Sequence, residues 1–537
     1  MKLTKILSLL ICLLMVSSLF VACKADEEST DTTAETTATT EAPETKPDDK
    51  VPEANDDDND DEGNDDVPSD SIAITKLEDI TNLRGKYHLT ADIGNADTPN
   101  AYTVTGKFKG VLDGCGFTVY TSVPLFDELN SETTLGDDAS SVPSEVKNLT
   151  IEGNVTLYGK TVIGALANTA KGETVITNVT NNAKVKLDLL ENIGTSDAYA
   201  AGLVGVANMG ATFENCKNTG EVTIDGAKSI YGLAGIVGYV EVADYVINNC
   251  ENTGKIHSTN QEKSNVLYSG GIVGQAKCKS LQIENCKNSG EITTAKFTYE
   301  GNNFAGGILG CTFEIDSRVS NYSFKNCENT ANIKSQRIGA GIAGAIRGNA
   351  TFINCKNSGN ITVNTSNKGS FCYAAGITAD IRTDHKEDNV YVDKVATIEC
   401  CSNRGNITVS DANESYAGGI LGANFVSVNI TDCANYGNLD AKTSVGGIIA
   451  RIKCPVASMK LTVKNVLVVG ILTGTKADMF YGVNQAASES EVTFTNCYNN
   501  VNTEAASLKG DAAKATLVGF DFDTKWQANT DDYPSVR

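Results

Sequence analysis

The chain has 537 residues, an ordinary 41% hydrophobic content, a net charge of −23, 49 glycines and a single tryptophan. That acidity excludes the basic footprint demanded by a phosphate backbone, so nucleic acid is not expected as a partner. A chain of this length exceeds one small core, but a repeat array escapes the limit because each unit packs only on its neighbours.

Lys2 and Lys5 precede an apolar run over residues 6–21, followed by Ala22 and Cys23. The run is too short to span a bilayer and reads as a secretory signal over residues 1–22. Phe20-Val21-Ala22-Cys23 resembles a bacterial lipobox. It predicts acylation of Cys23 and a protein held on the outer side of the bacterial membrane by lipid alone. Charge is unevenly spread: the first 23 residues carry about +2, residues 24–70 about −16, and the remainder about −9. Residues 23–71 therefore read as a lipidated Cys followed by a disordered, self-repelling acidic tether. Aligning Asp58, Asp60, Glu62 and Gly63 on a calcium loop puts Ser69 where the bidentate Glu belongs, so no calcium is expected there.

Residues 72–147 read as an N-terminal cap with the first rungs of a stack. Residues 87–93 alternate as a strand does, and residues 108–119 read as strand, turn, strand. Repeats then occupy residues 148–500. One phrase is Gly202-Leu203-Val204-Gly205, Gly235-Ile236-Val237-Gly238, Gly271-Ile272-Val273-Gly274, Gly307-Ile308-Leu309-Gly310, Gly341-Ile342-Ala343-Gly344 and Gly419-Ile420-Leu421-Gly422. A second surrounds Cys216, Cys250, Cys286, Cys327, Cys355, Cys401, Cys433 and Cys497. A unit of about 34 residues, rich in β-branched residues and in Gly and Asn turns, suits one coil of a parallel β-helix. The expected fold is all-β, a single right-handed parallel solenoid of about eleven or twelve rungs and on the order of 55 Å long at about 4.8 Å per rung. Residues 501–537 read as a C-terminal cap.

These phrases, with the Asn-Cys-x-Asn-x-Gly phrase that follows each, resemble the GLUG motif. That motif occurs in bacterial surface proteins and in the β-helical, non-catalytic region of immunoglobulin-A-cleaving metallopeptidases. The resemblance covers roughly residues 80–500 and implies a fold and a surface location, not protease activity.

Each recurring position has a structural use. Val179 and Val466 stand in the Cys place of two copies, which favours a ladder of buried thiols at Cys216, Cys250, Cys286, Cys327, Cys355, Cys401, Cys433 and Cys497. Disulfides between rungs remain the alternative, and metal is disfavoured because no Cys-x-x-Cys pair exists. Asn218, Asn252, Asn288 and their counterparts suit coil corners and can bond the same amide one rung away. Ile283 and Cys286 cannot share a face of a straight strand, which predicts a bend at Asn285. An aromatic stripe precedes the Gly phrase at Tyr199, Tyr268, Phe304, Tyr373 and Tyr416, with Ile338 in the same place. Stacked, these rings are the candidate ligand-binding face, for a glycan or a host or cell-wall protein; packing against small neighbours is the competing use.

No catalytic residue or cofactor is assigned. His88, His257 and His385 are followed by Leu, Ser and Lys, so the HExxH zinc motif is absent. Arg451-Ile452-Lys453 matches a short basic motif of pectin-cleaving hydrolases, but their Gly-His-Gly element and paired aspartates are missing. The expected function is a non-enzymatic surface solenoid for adhesion or ligand capture. The alternative is a carbohydrate-active enzyme, a lyase or glycosidase, with a site that leaves no motif.

Overall fold

The structure, a computed structural model, describes residues 70–537 apart from 132–142, 190–196, 227–229, 260–265, 295–301, 316–319, 366–370, 384–385, 388–389, 457 and 489. Cys23, the signal and nearly all of the acidic stretch lie outside the described residues. Within them the chain is a parallel β-solenoid, as the repeat period requires.

One coil shows the logic. The first wall is the strand Val266–Gly270, and the Gly271-Ile272 corner leads into the second wall, Val273–Glu284. The chain bends, pairs briefly at Lys287–Asn288, turns at Gly290 and enters the third wall at Ile292–Thr293. Each strand pairs in parallel with its equivalent in the coils on either side, as Tyr268 with Phe304 and Ile283 with Phe324. First-wall strands form a ten-stranded sheet, while the second and third walls belong to one sheet of 41 strands. Because the register is rung on rung, like residues stack on like: Phe324 and Phe352 lie 4.7 Å apart at 6°. That is the strand-to-strand spacing itself.

The predicted bend is present. Asn285 has φ +55°, and Asn215, Asn249, Asn326 and Asn354 take the same left-handed conformation. That reversal of parity turns both Ile283 and Cys286 into the core. Asn tolerates the conformation better than most residues because its short amide can bond locally. Here Asn326 Nδ2 donates to Asn285 Oδ1 at 2.9 Å, one rung away.

A second amide ladder lies inside. Asn181, Asn218, Asn252, Asn288, Asn329, Asn357, Asn403 and Asn435 are fully or almost fully buried. Each Nδ2 from Asn181 to Asn403 donates to the next Oδ1 at 2.7 to 2.8 Å. The other amide hydrogen goes to a corner carbonyl two residues on, as Asn288 to Gly290. The column thereby satisfies polar groups that would otherwise be costly in a dry interior.

The thiol column stands beside it. Cys216, Cys250, Cys286, Cys327, Cys355, Cys401 and Cys433 are at most 1% exposed, and Cys497 on the last rung is half-buried. All are free thiols. Cys286 Sγ donates to Glu284 O at 3.1 Å and reaches Ile247 O at 3.5 Å. Burial pushes the thiols of Cys250, Cys327 and Cys401 well up, and that of Cys497 up to about 11. The register continues the column through Leu149 and Val179 at one end and Val466 at the other. Cys286→Val therefore changes the unfolding free energy by less than about 1.5 kcal/mol, as for other volume-tolerant core swaps. A larger loss in urea unfolding would mean the sulfur's hydrogen bonds matter more than its size.

The ends differ from one another. Leu77 and Ile80, around a short 3-10 turn at Leu77–Asp79, are buried at the start of the core. At the other end, Met479, Phe480, Val492 and Phe494 on the last rung are only partly buried. The C-terminal residues, with a helix at Gly510–Thr516 and a hairpin of Trp526–Asn529 with Asp532–Val536, pack on a flank of the late coils. Leu508, Leu517, Phe520 and Trp526 cluster there with Ala434 and Leu467. Lys525 bridges Glu399 at 2.7 Å and Asp432 at 2.9 Å, beside a Trp526 indole that donates to Asp432. Among the described residues no helix is long and apolar enough to cross a membrane.

Candidate functional site

Successive first-wall residues point to opposite faces. Leu267 joins the central core, whereas Tyr268 joins a separate cluster with Phe304, Ile338, Tyr373 and Tyr416. The stripe is thus in register down the first wall: Tyr268, Phe304, Ile338, Tyr373 and Tyr416 are successive partners. Tyr199 is set apart, because Gly232 occupies the intervening rung. It stacks instead on Tyr239 at 4.8 Å.

Second-wall residues close over these rings. Cys311, Ala345, Ala379, Ala423 and Ala450 pack against them, and the stripe residues are 2% to 9% exposed. The rings are therefore a floor rather than an open platform. What solvent meets is a cleft of about 480 Å³ above part of that floor. From the first wall it is lined by Phe304, Arg337, Ile338, Phe371 and Tyr373, and from the second by Arg347, Arg382, Phe425, Arg451 and Lys453.

Five cations gather here although the chain as a whole is acidic. Arg347 and Arg382 are register partners and share Asp380, at 3.2 and 2.6 Å, a carboxylate with no exposed surface. Arg382 also lies 4.5 Å over the Phe425 ring. Arg451 is held by neutral groups. Nη1 donates to the Tyr373 hydroxyl at 2.7 Å, Nε and Nη2 donate to Gln485 Oε1 at 3.0 and 2.8 Å, and the guanidinium faces the Tyr416 and Phe371 rings. Burial outweighs the nearby guanidinium and pushes the Tyr373 hydroxyl up to about 12. At neutral pH it is a hydroxyl and its oxygen accepts from Arg451. Burial also lowers the Arg337 guanidinium from its ordinary value.

The sequence reading singled out the rings and missed the cations. A signal existed: the position three residues after the second Gly place of the phrase holds Phe313, Arg347, Arg382, Phe425 and Lys453 in consecutive copies. Three of these five copies contribute one charge each at that position, so no single stretch looks basic. In Arg451-Ile452-Lys453, Arg451 on the strand Ile449–Ile452 and Lys453 just past its end both line the cleft. Among the described residues no three His, Cys, Asp or Glu side chains come together to hold a metal ion.

No family model matches the chain. It is similar to the immunoglobulin A1 protease of Streptococcus sanguinis, 28% identical over 199 residues, and to that of Streptococcus pneumoniae, 27% identical over 198 residues. The similarity is partial: each match covers 35% of this chain and 9% of the relative's length. A solved structure from Bacteroides ovatus, provisionally described as an immunoglobulin A1 protease, aligns with 56% of this chain and 78% of its own. Its sequence identity is 17% and its TM-score 0.31.

Proposed function

We propose that the chain is a non-enzymatic solenoid of the bacterial cell surface, anchored by lipid at Cys23, that captures a glycan or protein ligand on its rigid flank. The observation that carries the reading is the cleft over Tyr373. Its floor is set by stacked rungs, so the groups facing a ligand are positioned before it arrives, which reduces the ordering cost of binding. Its volume lies within the range of about 300–1,000 Å³ usual for ligand pockets.

A carbohydrate-active enzyme is the alternative, and the carboxylate bonded into the cleft bears on it. Asp380 is engaged by Arg347 and Arg382, so its geometry serves charge pairing rather than a pair of carboxylates flanking a glycosidic bond. The test is a glycan and protein array, with immunoglobulin A among the proteins, probed with the secreted chain and followed by product analysis. Binding without new products is expected. New reducing ends or unsaturated sugars would overturn the non-enzymatic reading.

The anchor is tested separately. Cys23→Ser moves the protein from the membrane fraction of expressing bacteria to the medium. Retention in the membrane would remove the lipid.

A further inference from the structure

We infer that the cleft takes an acidic saccharide, one bearing carboxylate or sulfate groups, and that Arg337, Arg451 and Lys453 recognise its charge. This rests on the reading of the cleft as a binding site and adds the chemistry of the ligand.

The first argument is charge left over. Arg347 and Arg382 have Asp380 between them. Among the described residues no ion pair reaches Arg337, Arg451 or Lys453. Arg451 is 7% exposed and bonded only to a phenol and a carboxamide. A cation withdrawn from water without a counter-charge is costly, and Arg451 is one; with Arg337 and Lys453, both partly buried, in the same concavity, the cleft is arranged for an anion from outside. A guanidinium is the group that matches carboxylate and sulfate oxygens in two parallel hydrogen bonds.

The second argument is shape. Arg451 lies on the strand Ile449–Ile452 and Lys453 just past its end, both lining the cleft, while Arg337 enters from the first wall. Arg337 and Lys453 come from coils three rungs apart, about 14 Å at the usual strand spacing. A single small ion cannot satisfy both, whereas a short chain of charged sugar units can. Phe371 is 38% exposed beside Arg451 and offers a ring face to the C–H side of a sugar. A long polyanion is disfavoured by the net charge of −23.

Titration calorimetry on the secreted chain uses four probes: trigalacturonate, a sulfated disaccharide, a neutral trisaccharide and sodium sulfate. At least one acidic saccharide binds, more weakly as salt is raised, and the neutral sugar does not. Lys453→Ala and Arg451→Gln each weaken that binding about 10-fold to 100-fold, the usual effect of losing a charge-assisted hydrogen bond. Lys453→Ala keeps the test open if Arg451→Gln fails to fold, as judged by its urea midpoint. A neutral sugar or a protein that binds equally well to both variants overturns the inference and leaves the binding reading standing. Sulfate ion binding as tightly as the acidic saccharides overturns the saccharide. If no probe binds and the array is also blank, both readings fall.

Discussion

Asn288→Asp lowers the unfolding free energy by about 3–5 kcal/mol at neutral pH, although the two side chains have the same shape. The amide of Asn288 donates to Gly290 O at 3.2 Å and to Asn329 Oδ1 at 2.8 Å, while its own oxygen accepts from Asn252. A carboxylate keeps the last bond and turns the first two into contacts between acceptors in a dry interior. The effect has a sign in pH. Burial raises the introduced carboxyl above its unfolded value of about 3.9, so the native state binds more protons than the unfolded state between the two. Stability therefore falls as pH rises through that window, by up to about 1.4 kcal/mol per unit, and is partly regained in acid where the protonated carboxyl can donate. Urea unfolding of the two chains at pH 4 and pH 7 measures it. Asn326→Ala removes a left-handed residue together with its outer-ladder bonds to Asn285 and Asn354, and gives a scale of about 1–2 kcal/mol for that more exposed ladder. A loss at Asn288 no larger than that, or one independent of pH, would show that the inner ladder is incidental.

Gly290→Ala costs about 3 kcal/mol or more, at the upper end of what overpacking does. A Cβ at Gly290 would stand 2.0 Å from Gly254 O and 2.7 Å from the Asn252 amide nitrogen of the neighbouring coil. Neither can retreat, because Gly254 is itself held in the same way by Gly220. The contrasting site is Gly159, which has φ +65° and nothing within 4 Å of its Cβ position. Gly159→Ala meets only the backbone penalty, about 1–2 kcal/mol. Comparing the two urea midpoints separates close approach between coils from conformational freedom. Equal losses would mean the coils can spread.

Both effects were foreshadowed by the repeats. The Gly and Asn phrases recur because every coil meets the same neighbour at the same corner, although Ala183 and Ala331 stand in the Gly290 place of two copies. Ile283 and Cys286 required the bend that Asn285 supplies at φ +55°. Val in two copies marked the thiol column as a place for a small apolar group, and its register through Val179 and Val466 follows. The aromatic stripe was found but not its setting. Whether Tyr268 and Tyr416 lie open or covered depends on the residues of another wall, such as Cys311 and Ala423, which meet them only after the coil has turned.

The sequence by itself determined the period, the stacking and the role of each recurring corner, because these are properties of one coil repeated. The cleft is of another kind. Arg337 and Arg347 come from one coil, Arg382 from the next, and Arg451 and Lys453 from a third, and each is unremarkable where it stands in the chain. Only rung-on-rung register, across loops of unequal length, brings the five to one concavity and leaves Asp380 as a shared counter-charge for two of them. Local pattern specifies the coil; which charges become neighbours is a long-range consequence of how the coils align.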